Sequence, residues 1–443
     1  MRKSELNVTL LAAHVFGAIS LLSVSAVSAT DLQETYLLAT EYDSTIKTAE
    51  ADYQSAIQRL PLARSSFKPQ LSLAFDATHN EIDDDGLSPY GSTQLSLSLR
   101  QSLFNRENAA LVDQAELGVK QAEAQLLAQQ QNLILRTANI YFDVLRAQVE
   151  VQFSQSELQA IARQKEQAER RFEVGLVPVT DVRAAQAQYD LAIASEIAAQ
   201  NQLQNALGSY LVLTGKEPEF IAWLAADLPL VSPNPTKVED WVNLSLEQNL
   251  QLVATRLAAQ TAEKGVDSMR GLRYPTLDLV GAVQATDADT FPATRDSRSA
   301  RVGIELRMPI YTGGRVNAQV RQAKADSESA MQTLLTQERS TAQQTRDAYR
   351  GVTGSISRAN ALRQALISTR KSAEATDAGF RAGTRTSVEV LRALRDVYRA
   401  ESDYAGARYD YLINYLSLKA AAGTLNADDL IPINNFLVSS AEK

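Results

Sequence analysis

Phe67-Lys68-Pro69-Gln70-Leu71-Ser72-Leu73 returns 206 positions later as Arg273-Tyr274-Pro275-Thr276-Leu277-Asp278-Leu279. Past the proline, both copies alternate. Leu71, Leu73, Phe75 and Ala77 share one parity, against Ser72, Ala74, Asp76 and Thr78. In the second copy Leu277, Leu279, Gly281 and Val283 oppose Asp278, Val280, Ala282 and Gln284. A period of two is the mark of a β-strand with one apolar and one polar face. Turn-forming residues follow, in loops spanning Asn80–Gly91 and Asp287–Arg298. Each copy then returns through a second alternating run, Leu95, Leu97, Leu99 and Val302, Ile304, Leu306, with Arg301, Glu305 and Arg307 together on the other side.

The echo extends along the chain. Leu95–Arg100 aligns with Val302–Arg307 at an offset of 207, and Phe172-Glu173-Val174-Gly175 with Phe380-Arg381-Ala382-Gly383 at 208. Three blocks agreeing within two residues define an internal duplication. Each half therefore reads as a helix (about 32–64; about 238–270), a β-hairpin (about 70–102; about 276–308) and a very long helix (about 104–174; about 313–380). A glycine turn at Gly175 or Gly383 and a return helix (about 180–213; about 387–421) complete it. Thr or Ser after each turn suits the start of the return helix. A proline-rich linker from Thr214 to Asp240 joins the halves, 30–236 and 237–443. In the first long helix Val112, Val119, Leu126, Leu133, Ile140 and Ala147 recur every seven residues, the seam of a coiled coil. Some 70 helical residues span about 100 Å.

Composition narrows the function. Among 443 residues there are no Cys, two His, 44 Lys+Arg and 52 Asp+Glu. Thiol chemistry, disulfides and cysteine-ligated metals are excluded, and with His14 inside the expected signal segment His79 alone remains, which rules out a multi-histidine site and speaks strongly against a triad. A net charge of -8 speaks against nucleic acid as a partner. No nucleotide loop or nucleophile constellation is visible, so neither an enzyme nor a cofactor is expected. Asp83-Asp84-Asp85 lacks the spacing of a calcium loop and reads as a solvated surface turn. Residues 1–29 have the form of a secretory signal: Arg2 and Lys3, a short apolar run, then Ala26-Val27-Ser28-Ala29. An N-terminal membrane anchor is the alternative.

Strands with one apolar and one charged face fit an outer-membrane barrel better than a soluble core. Phe67 and Tyr274 before the first strands, with Phe104 and Tyr311 after the second, are expected to form a girdle at one lipid interface. Asp76, Asp278, Arg301, Glu305 and Arg307 would then face the lumen. Four strands cannot close, since single-chain barrels begin at about eight, so copies must assemble; strand counting does not choose between two and three.

Arg171 to Val182 (RFEVGLVPVTDV), Ala187-Gln188-Tyr189-Asp190, Gly383 to Leu391 (GTRTSVEVL), Ala407 to Tyr415 (ARYDYLINY) and Gly423-Thr424-Leu425-Asn426 resemble the TolC family of outer-membrane efflux and secretion channels. The resemblance covers nearly the whole mature chain. It implies a mainly α fold with membrane β: a homotrimer whose twelve strands, four per chain, form one barrel in outer-membrane lipid. That barrel continues into a long periplasmic coiled-coil barrel, with the C-terminal tail at its equator. It implies an exit duct opened at its periplasmic tip by an adaptor (membrane fusion) protein and an inner-membrane transporter of the RND, ABC or MFS type. Asp181 and Arg385 match positions that bond the tip closed, Glu389 a ring of acids at the constriction, and Gly175 and Gly383 the tip turns. Two departures stand out: Phe380 replaces a tyrosine that helps hold the tip, and Arg392 replaces a second acid. A mixed-charge gate with weakened cation preference is expected. The competing readings are a soluble periplasmic coiled-coil adaptor and a general porin, which needs no long helices.

Overall fold

The computed structural model describes residues 30–81, 89–218, 220–225, 227–288 and 296–438. The signal segment, Asp83-Asp84-Asp85 and part of the second loop lie outside the described residues. In chain order come α1 (Leu32–Tyr42), α2 (Ser44–Ser65), β1 (Gln70–Asn80), β2 (Tyr90–Phe104), α3 (Arg106–Glu173), α4 (Val179–Thr214) and the short β3 (Trp223–Leu224). The second half repeats the order with α5 (Val238–Gln248), α6 (Leu250–Gly271), β4 (Thr276–Ala288), β5 (Ser297–Arg307), α7 (Arg315–Arg381) and α8 (Ser387–Ala422), then α9 (Leu430–Asn434) and β6 (Leu437–Val438). None of the described helices is long and apolar enough to cross a membrane.

The two hairpins join into one antiparallel sheet in the order β1-β2-β4-β5. Register keeps the faces separate. Leu73 pairs with Leu97, which pairs with Val283, while Ala74, Ser96 and Gln284 align on the other face. Leu71, Leu73, Phe75, Val302, Ile304 and Leu306 are each about two-thirds exposed or more, so within one chain the apolar face covers nothing. The polar face is tied by hydroxyl pairs, Ser72–Ser98 at 2.7 Å and Thr78–Ser92 at 2.8 Å. A bulge between Ser102 and Phe104 ends β2, and Asn105 caps α3 through the backbone N–H of Asn108.

The first helix of each half differs from the expectation of one continuous element. It is broken in two, at Asp43 and at Asn249, positions related by the same 206-residue offset as the strands. Each breaking residue is extended and caps the helix that follows, accepting from Ile46 N–H and Leu252 N–H. Each also holds a third helix. Asp43 pairs with Arg136 of α3 at 2.7 Å, and Asn249 donates to the Ala421 carbonyl at the end of α8. A cap satisfies orphan helix N–H groups, and the second contact fixes the bend.

The main core lies beside these breaks. Phe142 of α3 stacks on Tyr409 of α8 at 5.7 Å, with Tyr141, Tyr210, Trp241 and Leu416 buried around them. The inter-repeat linker is sewn over this core. Tyr141 Oη donates to the Ala222 carbonyl, Arg408 Nη1 to the Ala225 carbonyl, and Trp241 Nε1 to the Pro235 carbonyl. Tyr411 Oη bonds both the N–H and the carbonyl of Val231. The tail returns to the start of the described chain, where Asn434 Nδ2 donates to Asp31 at 2.7 Å and Asn434 Oδ1 accepts from Leu32 N–H.

Gly215 and Gly423 end α4 and α8 at φ +72 and +80. A Cβ on Gly215 would meet the Tyr42 ring, which is 57% exposed and can swing away. On Gly423 it would stand 2.2 Å from the Gln248 carbonyl oxygen, which is backbone and cannot. Both alanine variants carry a left-handed strain of about 1–2 kcal/mol. Gly423→Ala is therefore expected to lower stability by clearly more than Gly215→Ala, about 3 kcal/mol or above against about 1–2. Denaturant unfolding of the two variants beside the parent measures the order.

Candidate functional site

The ends of the long helices are built alike. Gly175 (φ 75) and Gly383 (φ 76) close each turn. Gly175 N–H bonds Phe172 O and Leu176 N–H bonds Arg171 O; Gly383 N–H bonds Phe380 O and Thr384 N–H bonds Gly379 O. A glycine in the left-handed region with this pair of bonds is the Schellman ending of a helix. Its chemistry differs between the halves. The first turn exposes Phe172, Val174, Leu176 and Val179. The second is polar, Thr384-Arg385-Thr386-Ser387.

The expected hydroxyl cap appears at only one of the two return helices. Thr386 caps α8 in a full capping box: its hydroxyl accepts from Glu389 N–H, and Glu389 Oε2 accepts from both Thr386 N–H and Oγ1. At the equivalent position α4 has Pro178, with no side-chain cap, and Thr180 falls inside the helix. Proline carries neither hydroxyl nor N–H, so no box can form. Asp181, the counterpart of Glu389, therefore makes no side-chain hydrogen bond or ion pair among the described residues.

Arg385 is not paired with Asp181 within the chain. Its Nη1 sits 2.8 Å from Glu389 Oε1, four residues on. Both Glu389 oxygens are thus engaged. The Thr386 N–H first, then Arg385 and the Thr386 hydroxyl, hold its carboxyl down to about 2. Arg392, one turn further, is exposed and has no hydrogen bond or ion pair among the described residues. Phe380 is 8% exposed, with the Arg171 guanidinium 4.5 Å above its ring. This cation–π contact joins the ends of α3 and α7. Only packing reveals this, since no pattern links residues 171 and 380.

In the sheet, register puts Asp76, Asp278, Arg301, Glu305 and Arg307 on one face. Asp278 and Glu305 stand directly opposite each other. Arg100 relieves their repulsion, 2.8 Å from Asp278 and 3.7 Å from Glu305, and Arg307 closes on Glu305. Arg100 was not singled out from sequence, although it shares the parity of Ser96 and Ser98. Asp76 and Arg301 make no ion pair among the described residues. Of these charges Arg100, Asp278 and Arg307 line a cavity of about 460 Å³ between sheet and helices, with Tyr274, Glu107 and Arg315.

The four aromatics are not equivalent. Phe104 pairs with Leu277 on the apolar face, and Tyr311 is 89% exposed. Phe67 is half-buried in the turn after α2. Tyr274 lines the cavity beside the charges, under the Arg106 guanidinium at 4.7 Å.

A sheet with a bare apolar face and a charged face, continued by helices of 68 and 67 residues, defines a subunit of an outer-membrane duct that extends into the periplasm. The description "Outer membrane efflux protein" matches residues 36–215 and 241–424, one segment in each repeat. The chain belongs to that family. It is 35% identical over 436 residues to outer membrane protein TolC of Escherichia coli K12, covering 95% of this chain and 87% of that protein. It is 28% identical over 435 residues to the alkaline protease secretion protein AprF of Pseudomonas aeruginosa, covering 94% and 89%. A crystal structure of CusC superposes with a TM-score of 0.79 at 17% identity, over 89% of this chain and 93% of that one.

The capping box makes a pH prediction. Glu389 is held ionised in the folded chain, so its stabilising contacts are complete above the ordinary carboxylate range and are lost only as pH falls through about 2. Carboxyl NMR of labelled Glu389 is expected to show no protonation between pH 7 and pH 4. In Thr386→Ala the midpoint should move up toward the ordinary value of about 4.3.

Proposed function

We propose that three copies of this chain form an outer-membrane exit duct, opened at its periplasmic tip when an adaptor and an inner-membrane transporter of the RND, ABC or MFS type dock. It is a passive channel of a tripartite efflux pump or a type I secretion system, and catalyses no reaction. The observation that carries the reading is the four-stranded sheet with an uncovered apolar face and two unpaired edges, β1 and β5. Lipid covers such a face. Neighbouring copies pair such edges, because open edges are not tolerated in hydrocarbon. Membership of a channel family supports the rest. A soluble adaptor would have no use for that face.

In this reading Asp76, Arg100, Asp278, Arg301, Glu305 and Arg307 face the lumen, and Phe104 and Tyr311 stand at the lipid interface. Residues 1–29 are removed on export. The gate is formed by Asp181, Phe380, Arg385, Glu389 and Arg392 on the glycine-turn ends. The Pro178 start leaves the Asp181 carboxylate free for a partner, and Arg385 is the mobile cation, shared between Glu389 in its own chain and Asp181 across the closed tip. Charge-assisted Arg–carboxylate bonds are directional yet weak when exposed, which suits a latch that docking must break.

The test is planar-bilayer conductance of the purified protein beside Arg385→Glu and Asp181→Asn. A small steady conductance that rises in both variants is expected. Insertion with unchanged variants would remove the latch and keep the duct. Folded protein that partitions to the periplasm and never inserts would overturn the duct.

A further inference from the structure

The two long helices are copies of one element, and at one level they diverge. At the 208-residue offset of the glycine turns, Tyr349 and Val352 of α7 fall on Tyr141 and Val144 of α3. Around these anchors α3 reads Tyr141-Phe142-Asp143-Val144-Leu145-Arg146-Ala147-Gln148-Val149. The α7 copy reads Tyr349-Arg350-Gly351-Val352-Thr353-Gly354-Ser355-Ile356-Ser357. In α3 this stretch is anchored, with Tyr141, Phe142, Val144, Leu145, Ala147 and Val149 all buried. In α7 only Val352 and Ser355 are.

Two glycines in a helix interior lower its stability, and packing does not require them here. A Cβ on Gly354 would meet nothing within 4 Å, and one on Gly351 only the Asn414 side chain, at 3.4 Å. Three hydroxyls bond back onto the same stretch. Thr353 Oγ1 donates to the Tyr349 carbonyl, Ser355 Oγ to Val352 and Ser357 Oγ to Thr353. Such bonds compete with the helical ladder and favour a bend, and glycine–serine pairs are where helices kink. The partner helix is weakened at the same level. Gly406 of α8 stands where α4 has Ala198, and a Cβ on it would also meet nothing. Between α7 and α8 lies a cavity of about 350 Å³ lined by Gly351, Gly354, Arg358, Asp410 and Asn414. The ties across it are long, Asn414 Nδ2 to the Gly351 carbonyl at 3.5 Å and Arg358 to Asp410 at 3.9 Å. The first coiled coil has no such paired weakness. Gly208 interrupts α4, but α3 has no glycine beyond Gly118.

We propose that the Gly351–Ser357 stretch of α7, with Gly406 of α8, is a flexure about which the tip-ward part of this helix pair swings while α3 stays straight. The inference rests on the gated-tip reading and adds the place from which the gate is moved. From Gly354 to the last residue of α7, Arg381, the helix runs 27 residues. That is a lever of about 40 Å, so a bend of about 10° carries the tip about 7 Å. Docking then has to bend the pair at one prepared level, and no helix has to unfold.

Substitutions that strengthen the helix while hindering the gate distinguish a flexure from a packing role. Gly354→Ala and Gly406→Ala enter open space, so each should raise the thermal unfolding midpoint. So should Gly118→Ala in α3, where a Cβ also meets nothing. Only the first two should stiffen the gate. In planar bilayers the conductance rise of Arg385→Glu is expected to shrink about twofold or more when Gly354→Ala and Gly406→Ala are added, and to stay unchanged with Gly118→Ala. The chain has no Cys, so spin labels on Gln167→Cys and Glu374→Cys report the α3–α7 separation near the tip in detergent-solubilised protein, without any conductance. Their distance distribution should be broad in the parent and narrow in the two glycine variants. A distribution that Gly354→Ala and Gly406→Ala leave unchanged overturns the flexure. Gly354→Ala that lowers the unfolding midpoint overturns it too, since the glycine then serves packing. Narrowed distances in protein whose conductance ignores Arg385→Glu keep the flexure and remove the latch. Narrowed distances in protein that never conducts keep the flexure and overturn the duct.

Discussion

Everything in this chain answers to the unpaired edges of one sheet. β1 and β5 each leave a row of backbone N–H and carbonyl groups with no partner, and the apolar face between them excludes water as a substitute. Length, duplication and the girdling helices follow from that: two hairpins give four strands to each copy, and each hairpin launches a helix that leaves the membrane. The ion pairs around Arg100 then have a clear place. They keep the like charges Asp278 and Glu305 side by side on the polar face of the sheet, where such exposed pairs stabilise little and chiefly prevent repulsion.

Duplication made two ends of the same design, and small substitutions divided their work. Pro178 stands where Thr386 stands, so Asp181 is left over and Glu389 is not. Val177 stands where Arg385 stands, so one turn is greasy and the other cationic. Neither change alters the backbone, since Gly175 and Gly383 have the same φ within a degree. The scaffold is symmetric and the chemistry is not.

Much of this was legible before any coordinates. Alternation at Leu71, Leu73 and Phe75 and at Val302, Ile304 and Leu306 identified strands, and the seven-residue spacing from Val112 to Ala147 identified a coiled coil. What escaped has a common physical character. The helix breaks at Asp43 and Asn249 rest on one cap residue inside a helical pattern, and an aspartate or asparagine there reads equally well as a solvated helix position. Arg171 on Phe380 and Asn249 on Ala421 join residues far apart in sequence, which periodicity does not register. The Arg385–Glu389 spacing was in plain view. Its four-residue interval is a helical neighbour relation, but the expectation of a cross-tip partner concealed it.

The contact between Asp31 and Asn434 spans 403 residues. Few separations in the chain are larger, and closing so long a loop is among the last steps available to any folding path. A polypeptide exported with its N-terminal end leading presents Asp31 first and Asn434 nearly last. Its opening helix is held meanwhile within the first repeat, where Thr35 bonds Tyr210 at 3.1 Å and Leu32 packs beside Tyr141 and Tyr210. The contact of the tail with Asp31 and Leu32 therefore adds a second fastening, from the far end of the chain, to a leading helix already packed on α3 and α4.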